Sequence, residues 1–134
     1  FQQELLEYYR EASEGSIEGY VADPKNPSVI PGHVTGGAVD LTLSYRGQPL
    51  ALGSDYDEFS ERAHLGALES ETSYSTDAKL RRLLGGHLTA AGFAPYPLEW
   101  WHWSYGDQRW AAQVDARAAV YGEAVSPPGV LGRP

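Results

Sequence analysis

Val39, Leu41 and Leu43 alternate with Asp40, Thr42 and Ser44. A period of two sends the two sets to opposite sides of an extended chain. This stretch therefore reads as a half-buried strand whose second face is polar and carries a carboxylate. A different period follows downstream. Leu80, Leu83, Leu84, Leu88 and Ala91 recur at helical spacing, with Thr76 or Asp77 as N-cap and Gly92 as the stop. Gly85 and Gly86 lie inside that helix. Each costs about 1 kcal/mol against alanine, so close packing is expected there. Residues 93–105 are rich in aromatics and read as one or two strands. Upstream, Phe1, Leu5, Tyr8, Tyr9 and Ala12 mark an amphipathic helix that Gly15 and Gly19 end. Pro24, Pro27 and Pro31 make residues 23–32 a loop, and residues 45–49 read as a turn. Residues 53–76 are polar and irregular, with a short helix expected over 60–68. Residues 111–134 have no clear period, and Pro127, Pro128 and Pro134 suggest a loose end.

The chain has 134 residues, which at roughly 150 per domain predicts one domain. Hydrophobic residues make up 42% and charged residues 21%, which excludes a wholly disordered chain, a fibre and a coiled coil. No apolar run approaches the roughly 20 residues that span a bilayer. The net charge is −8, and an acidic surface repels phosphate backbones, which argues against a nucleic-acid partner. There is no cysteine, so a disulfide framework and a thiolate zinc site are both excluded. The chain opens at Phe1, already inside a helical pattern, so the native N-terminus is expected elsewhere.

Two of the four histidines sit in unusual company. His33 precedes Gly36-Gly37-Ala38-Val39-Asp40, and His102 ends Glu99-Trp100-Trp101-His102. If Asp40 lies on the polar face of the strand, the glycine pair lets His33 return beside it. His102 from the late strand then completes a His-Asp-His set, a normal donor set for catalytic zinc. Glu99 stands three residues before His102. In a flat strand the two would face apart, so a bend or bulge is required for Glu99 to act as base beside the metal. The residues alone also allow a blander reading: a loop histidine, a solvated strand carboxylate and a surface glutamate.

Three segments carry a resemblance. They are His33-Val34-Thr35-Gly36-Gly37-Ala38-Val39-Asp40-Leu41-Thr42-Leu43, Tyr56-Asp57-Glu58-Phe59-Ser60-Glu61-Arg62-Ala63-His64, and Leu98-Glu99-Trp100-Trp101-His102. In this order they resemble the VanX-type D-alanyl-D-alanine dipeptidases. Those are zinc peptidases of the wider group that includes D,D-carboxypeptidases, lysostaphin-like enzymes and the hedgehog domain. The resemblance covers roughly residues 1–107. It implies an α+β fold, a small antiparallel β-sheet with helices packed on one side. It implies zinc (Zn2+) held by His33, Asp40 and His102, with Glu99 as general base and acid. It implies that Asp57 receives the substrate's free amino group, although Asp55 is a near neighbour.

The chain departs from the family pattern in three places. Pro31 stands where the family has a serine that helps hold the substrate carboxylate, and Thr35 where a basic residue is common. No arginine here sits in the family's upstream D-G-Y-R-P-like segment. Either this domain has lost that arginine, or, as is expected, it lies on a complementary N-terminal fragment, separate or cleaved, with the chain as the C-terminal part of a larger protein. The implied function is zinc-dependent hydrolysis of D-Ala-D-Ala or a related small D,D-peptide. The alternatives are a peptidoglycan D,D-carboxypeptidase or endopeptidase, and a non-catalytic zinc domain that binds peptide or protein partners. The compartment is not readable, with the bacterial cytoplasm preferred over periplasm or secretion.

Other groupings carry less. His64 is expected to make structural hydrogen bonds, and His87 to be a partly buried structural histidine on the second helix. Trp100, Trp101, Trp103 and Trp110 are expected mostly in the core. Ser104, His102 and Asp107 could be drawn as a triad but lack a nucleophile elbow. The acidic tract Asp55, Asp57, Glu58 and Glu61 lacks the regular spacing of a calcium loop.

Overall fold

The computed structural model describes residues 28–124. The helix expected over residues 1–12 lies outside the described residues, as do Pro127, Pro128 and Pro134. The architecture is mixed α/β with small antiparallel sheets. A three-stranded sheet has the order β1 (Ala38–Asp40), β5 (Glu99–Ser104), β4 (Ala94–Tyr96), and a two-stranded ribbon joins β2 (Ser44–Tyr45) to β3 (Gln48–Pro49). Helix α1 (Ser75–Ala90) precedes β4, and the short helix α2 (Gln108–Gln113) follows β5.

The strand expected from Ala38 to Ser44 is shorter than its alternation suggests. Ladder pairing covers Ala38 to Asp40 against Ser104 to His102, and one further bond runs from Leu41 N–H to the Trp101 carbonyl. The chain then leaves for the ribbon. Arg46 and Gly47 there both have positive φ, 50° and 78°, as a two-residue hairpin turn of the primed type needs. Val39 is 37% exposed, because it lies on an edge strand, while Leu41 and Leu43 pack against the core.

Helix α1 begins at Ser75 and not behind Thr76 or Asp77, because a 3-10 turn over Thr72–Tyr74 runs directly into it. Asp77 stays in the first turn, where a carboxylate favours the helix dipole. The expected stop is present. Gly92 has φ +90°, its N–H bonds the Thr89 carbonyl, and Phe93 N–H bonds the Leu88 carbonyl. This is the glycine-ended closure that satisfies orphan carbonyls. Of the expected apolar face, Leu84 is buried and Leu83 is 50% exposed. Arg81 takes a core position instead and is 3% exposed. Gly85 explains itself, since a Cβ there would lie 3.2 Å from the Trp103 ring. Gly86 has no such neighbour.

The helix expected over 60–68 is reduced to a 3-10 turn at Glu61–Ala63. Helix α2 appears where no period was legible, and Asp107 caps it by accepting from Trp110 N–H at 2.7 Å. Residues after it are irregular but tied down: Ala124 N–H bonds the Val34 carbonyl, so the described part of the expected loose end is anchored. The core gathers Leu52, Ala63, Leu84, Trp100 and Trp101, with Leu41, Leu43, Leu50, Leu65, Leu80 and Leu88 around it. Trp100, Trp101 and Trp103 are fully buried, as expected for most of the tryptophans. Alternation along β5 sends Trp103 to helix α1 and His102 to the other face of the sheet.

Candidate active site

Strand pairing and one tight turn build the site. Asp40 and His102 are direct partners across β1 and β5, so their side chains leave the same face. His33 comes from a 3-10 turn, Gly32–Thr35, that closes on Gly36 with φ +71°. The Thr35 hydroxyl staples this turn, donating to the Gly32 carbonyl and accepting from Gly37 N–H. Gly37 needs to be glycine because a Cβ would come within 2.7 Å of the Tyr105 carbonyl. The glycine pair thus returns His33 to Asp40.

Asp40 bridges the two histidines. Its Oδ2 lies 3.2 Å from His33 Nε2 and its Oδ1 lies 3.0 Å from His102 Nδ1. The imidazoles meet edge to face at 4.7 Å. His33 Nδ1 donates to the Ala38 carbonyl at 3.2 Å, which fixes the ring and leaves Nε2 facing the cluster. Glu99 Oε2 is 3.7 Å from His102 Nδ1. This proximity comes from the irregularity that the spacing demanded. Ala94 and Pro95 pair with Ser104 and Trp103, but Tyr96 pairs with Glu99 where a regular ladder would offer His102. The slipped register brings residues three apart in sequence to one side.

The electrostatics divide the carboxyls. Burial would raise Asp40, but hydrogen bonds from His102 and His33, with their charges, hold it well below the usual carboxylate range. His33 is raised, chiefly by its hydrogen bond to Asp40 and against the opposing effect of burial. Burial pushes the Glu99 carboxyl up to about 8, and the charges of Asp40 and Asp57 add to it while Arg109 and His33 oppose. One carboxyl is thus a fixed anion and the other a poised proton holder.

One atom each from His33, Asp40 and His102 lies within 4.8 Å of the other two. Two imidazole nitrogens and a carboxylate oxygen suit zinc. Bonds of about 2.0–2.2 Å to a tetrahedral ion separate ligand atoms by roughly 3.3 Å; Asp40 approaches the two imidazole nitrogens at 3.2 and 3.0 Å, with a different oxygen toward each. The residues fit the ion.

Asp57 lies on the loop between β3 and α1, with φ +54°. It is near enough to add to the rise in Glu99, whereas Asp55 turns its amide to Glu58. Among the described residues the acidic tract does not converge on one point, and Glu58 binds the Ser60 hydroxyl instead. His64 is half-buried and offers its carbonyl to Arg81, while His87 is exposed, contrary to expectation. The triad drawn from Ser104, His102 and Asp107 does not assemble, since His102 faces Asp40 and Asp107 caps α2.

Three neighbours have no role assigned from the sequence, although Tyr56 opens one of the segments that carry the resemblance. Tyr56 packs on Trp100 and Trp101, and burial with the charges of Asp40 and Asp57 pushes its phenol up to about 12. Tyr96 packs on His102, and Arg109 lies 3.7 Å over the Tyr96 ring. The only sequence signal for Tyr96 was its place two residues before Leu98-Glu99.

The fold and site together define a mixed α/β domain with a possible His-Asp-His metal site beside a buried carboxyl. Comparison with known proteins narrows the class. A family described as D-ala-D-ala dipeptidase matches residues 9–120. The D-alanyl-D-alanine dipeptidase of Synechocystis is 38% identical over 101 residues, covering 69% of this chain and 41% of that protein. The enzyme of that name from Enterococcus faecium is 36% identical over 94 residues, covering 68% and 42%. That from Enterococcus faecalis is 32% identical over 100 residues, covering 73% and 45%. The chain belongs to the D-Ala-D-Ala dipeptidase family, and it spans less than half the length of these relatives.

Proposed function

We propose that the protein carrying this domain hydrolyses D-Ala-D-Ala, or a related small D,D-peptide, in a zinc-dependent reaction. The observation that carries the reading is a buried, proton-holding Glu99 set beside a His-Asp-His cluster. A binding-only metal centre has no use for such a carboxyl.

His33, Asp40 and His102 would hold the ion. When bound, zinc supplies a Lewis acid that polarises the peptide carbonyl and brings the pKa of water to about 7. The chain's own residues do the rest. Asp40, held ionised, keeps both imidazoles aimed at one point. A cation held there would oppose the part of the rise that Asp40 and Asp57 contribute, and so would favour the ionised Glu99 that a general base needs. Its Oε2 then takes a proton from the attacking water, and the buried pocket holds that proton until the leaving amine receives it. Asp57 receives the substrate's free ammonium, which places the scissile bond between that anchor and Glu99. Pro31 offers no side-chain donor to the substrate carboxylate. That position favours, as second reading, a longer peptidoglycan D,D-peptide whose terminal carboxylate is held elsewhere.

The test is Glu99→Ala in zinc-loaded protein. Zinc content should stay at the wild-type level while dipeptide hydrolysis falls by about 10²–10⁴, the usual worth of a positioned acid-base group. Retained hydrolysis removes Glu99 from the reaction. Failure of the wild-type protein to take up zinc removes the metal centre.

A further inference from the structure

Arg81 is a buried cation that the proposed reaction does not use. It is 3% exposed, on the core side of α1, and all four of its acceptors are neutral oxygens. Nε donates to the Leu52 carbonyl at 2.7 Å and NH1 to the His64 carbonyl at 2.9 Å. NH2 donates to the Arg62 carbonyl at 3.0 Å and to the Ser54 hydroxyl at 3.5 Å. Two acceptors lie at the start of the 52–64 segment and two at its end. One guanidinium therefore closes the neck of a loop, a task for which its rigid fork of donors is suited and a lysine ammonium is not.

The neck is braced from the sheet as well. Trp100 Nε1 donates to the same Ser54 hydroxyl at 2.9 Å, and the Arg81 guanidinium lies 5.5 Å from the Trp100 ring centre. Trp100 is two residues from His102 and one from Glu99 on β5, so the loop is tied to the strand that carries the site. The loop bears Tyr56, stacked on Trp101, and Asp57, whose φ of +54° is uncommon for a residue with a side chain. Such a conformation persists only where its surroundings over-determine it.

We infer that Arg81 is a positioning residue which, through its grip on Leu52, Ser54, Arg62 and His64, sets Asp57 and Tyr56 where the substrate's ammonium end must dock. This rests on the dipeptidase reading, and the experiment separates the two. Zinc-loaded Arg81→Lys is compared with wild type on D-Ala-D-Ala and on N-acetyl-D-Ala-D-Ala, which has no ammonium. The lysine variant should raise KM for the free dipeptide by about tenfold or more, with zinc content unchanged. The preference for the free over the acetylated substrate, as a ratio of kcat/KM, should fall by the same factor. Ser54→Ala, which leaves the guanidinium in place, should move the ratio in the same direction by a smaller factor and stands in if Arg81→Lys fails to fold. Equal losses on both substrates, or an unchanged ratio, overturn the inference in favour of a purely structural arginine. Should wild type cleave neither substrate, the dipeptidase reading fails by itself. Hydrogen exchange then decides the clamp: Arg81→Lys should accelerate amides 52–60 about tenfold while β1 and β5 keep wild-type rates, and uniform or unchanged exchange overturns it.

Discussion

Glu99 and His33 hold their protons more tightly in the fold than in an open chain. Burial, joined by the charges of Asp40 and Asp57, lifts Glu99 from 4.5 to about 8, and the bond to Asp40 lifts His33 above 6.5. For both, folded protein binds more protons than unfolded protein in the interval between the two values. Stability must therefore decline as pH climbs through it. Asp40 has the opposite sense, but its contribution is complete above its ordinary 3.8 and is lost only in strong acid. Metal-free protein is thus expected to show a falling urea midpoint from about pH 5 to pH 8. Zinc saturation should flatten or reverse that slope, because the ligands bind as neutral imidazoles and a carboxylate. A metal-free profile that is level or rising would mean that Glu99 is solvated. Much of this chemistry was legible residue by residue. His33, Asp40 and Glu99 stood out because glycines and a fixed three-residue spacing flanked them. Arg81 did not, although it lies three and seven residues before Leu84 and Leu88 on the same helical stripe. An arginine on a helix is read as solvated by default, and only tertiary contact shows four carbonyl and hydroxyl oxygens waiting for it.

Helix α1 offers a matched pair of sites. Gly86 is exposed with open space where a Cβ would go, so Gly86→Ala should gain about 0.5–1 kcal/mol from backbone entropy alone. Gly85→Ala gains the same entropy but pushes a methyl to 3.2 Å from Trp103, a fully buried ring of the central strand. Denaturation should rank Gly86→Ala above wild type and Gly85→Ala below Gly86→Ala; equal effects would mean that the helix does not seat on Trp103. At this scale the sequence is legible in α1, where the helical period runs to the Gly92 stop, and at residues 93–105, where aromatic content marks the two strands of the β4–β5 hairpin. It was read too generously at residues 38–44. There the alternation persists through Ser44 while the ladder stops at Asp40, because the chain must peel away to form its own hairpin. The short α2 was missed because its start signal, Asp107, is a cap that a six-residue pattern cannot distinguish from a loop carboxylate.

Across the described residues, the parts that would hold a metal come from far apart in the chain. A turn before β1, β1 itself and β5 meet at one point, over a span from His33 to His102. An ion bound there ties these elements in the folded state alone, and so adds its binding free energy to stability. Zinc at about a thousand times its dissociation constant would contribute about 4 kcal/mol. For a protein of this size that is a rise in melting temperature on the order of 10 °C, reversed by a chelator. Calorimetry with and without chelator measures it, and an unchanged transition would mean that the cluster does not hold the ion. No helix among the described residues is long and apolar enough to cross a membrane.

Strand β5 is hydrogen-bonded along both edges and all six of its residues are buried. It has no outward face on which a side chain could vary freely. Glu99 and His102 are committed to the site, Trp100, Trp101 and Trp103 to the interior, and Ser104 to the register with both neighbouring strands. Asp55, Tyr56 and Asp57, the exposed residues at the tip of the 52–64 loop, have room to change, whereas a substitution on this strand disturbs the site, the interior or the sheet pairing. A laboratory or natural lineage exploring new substrates from this scaffold would therefore have to do so through the 52–64 loop, with these six positions inherited as a block.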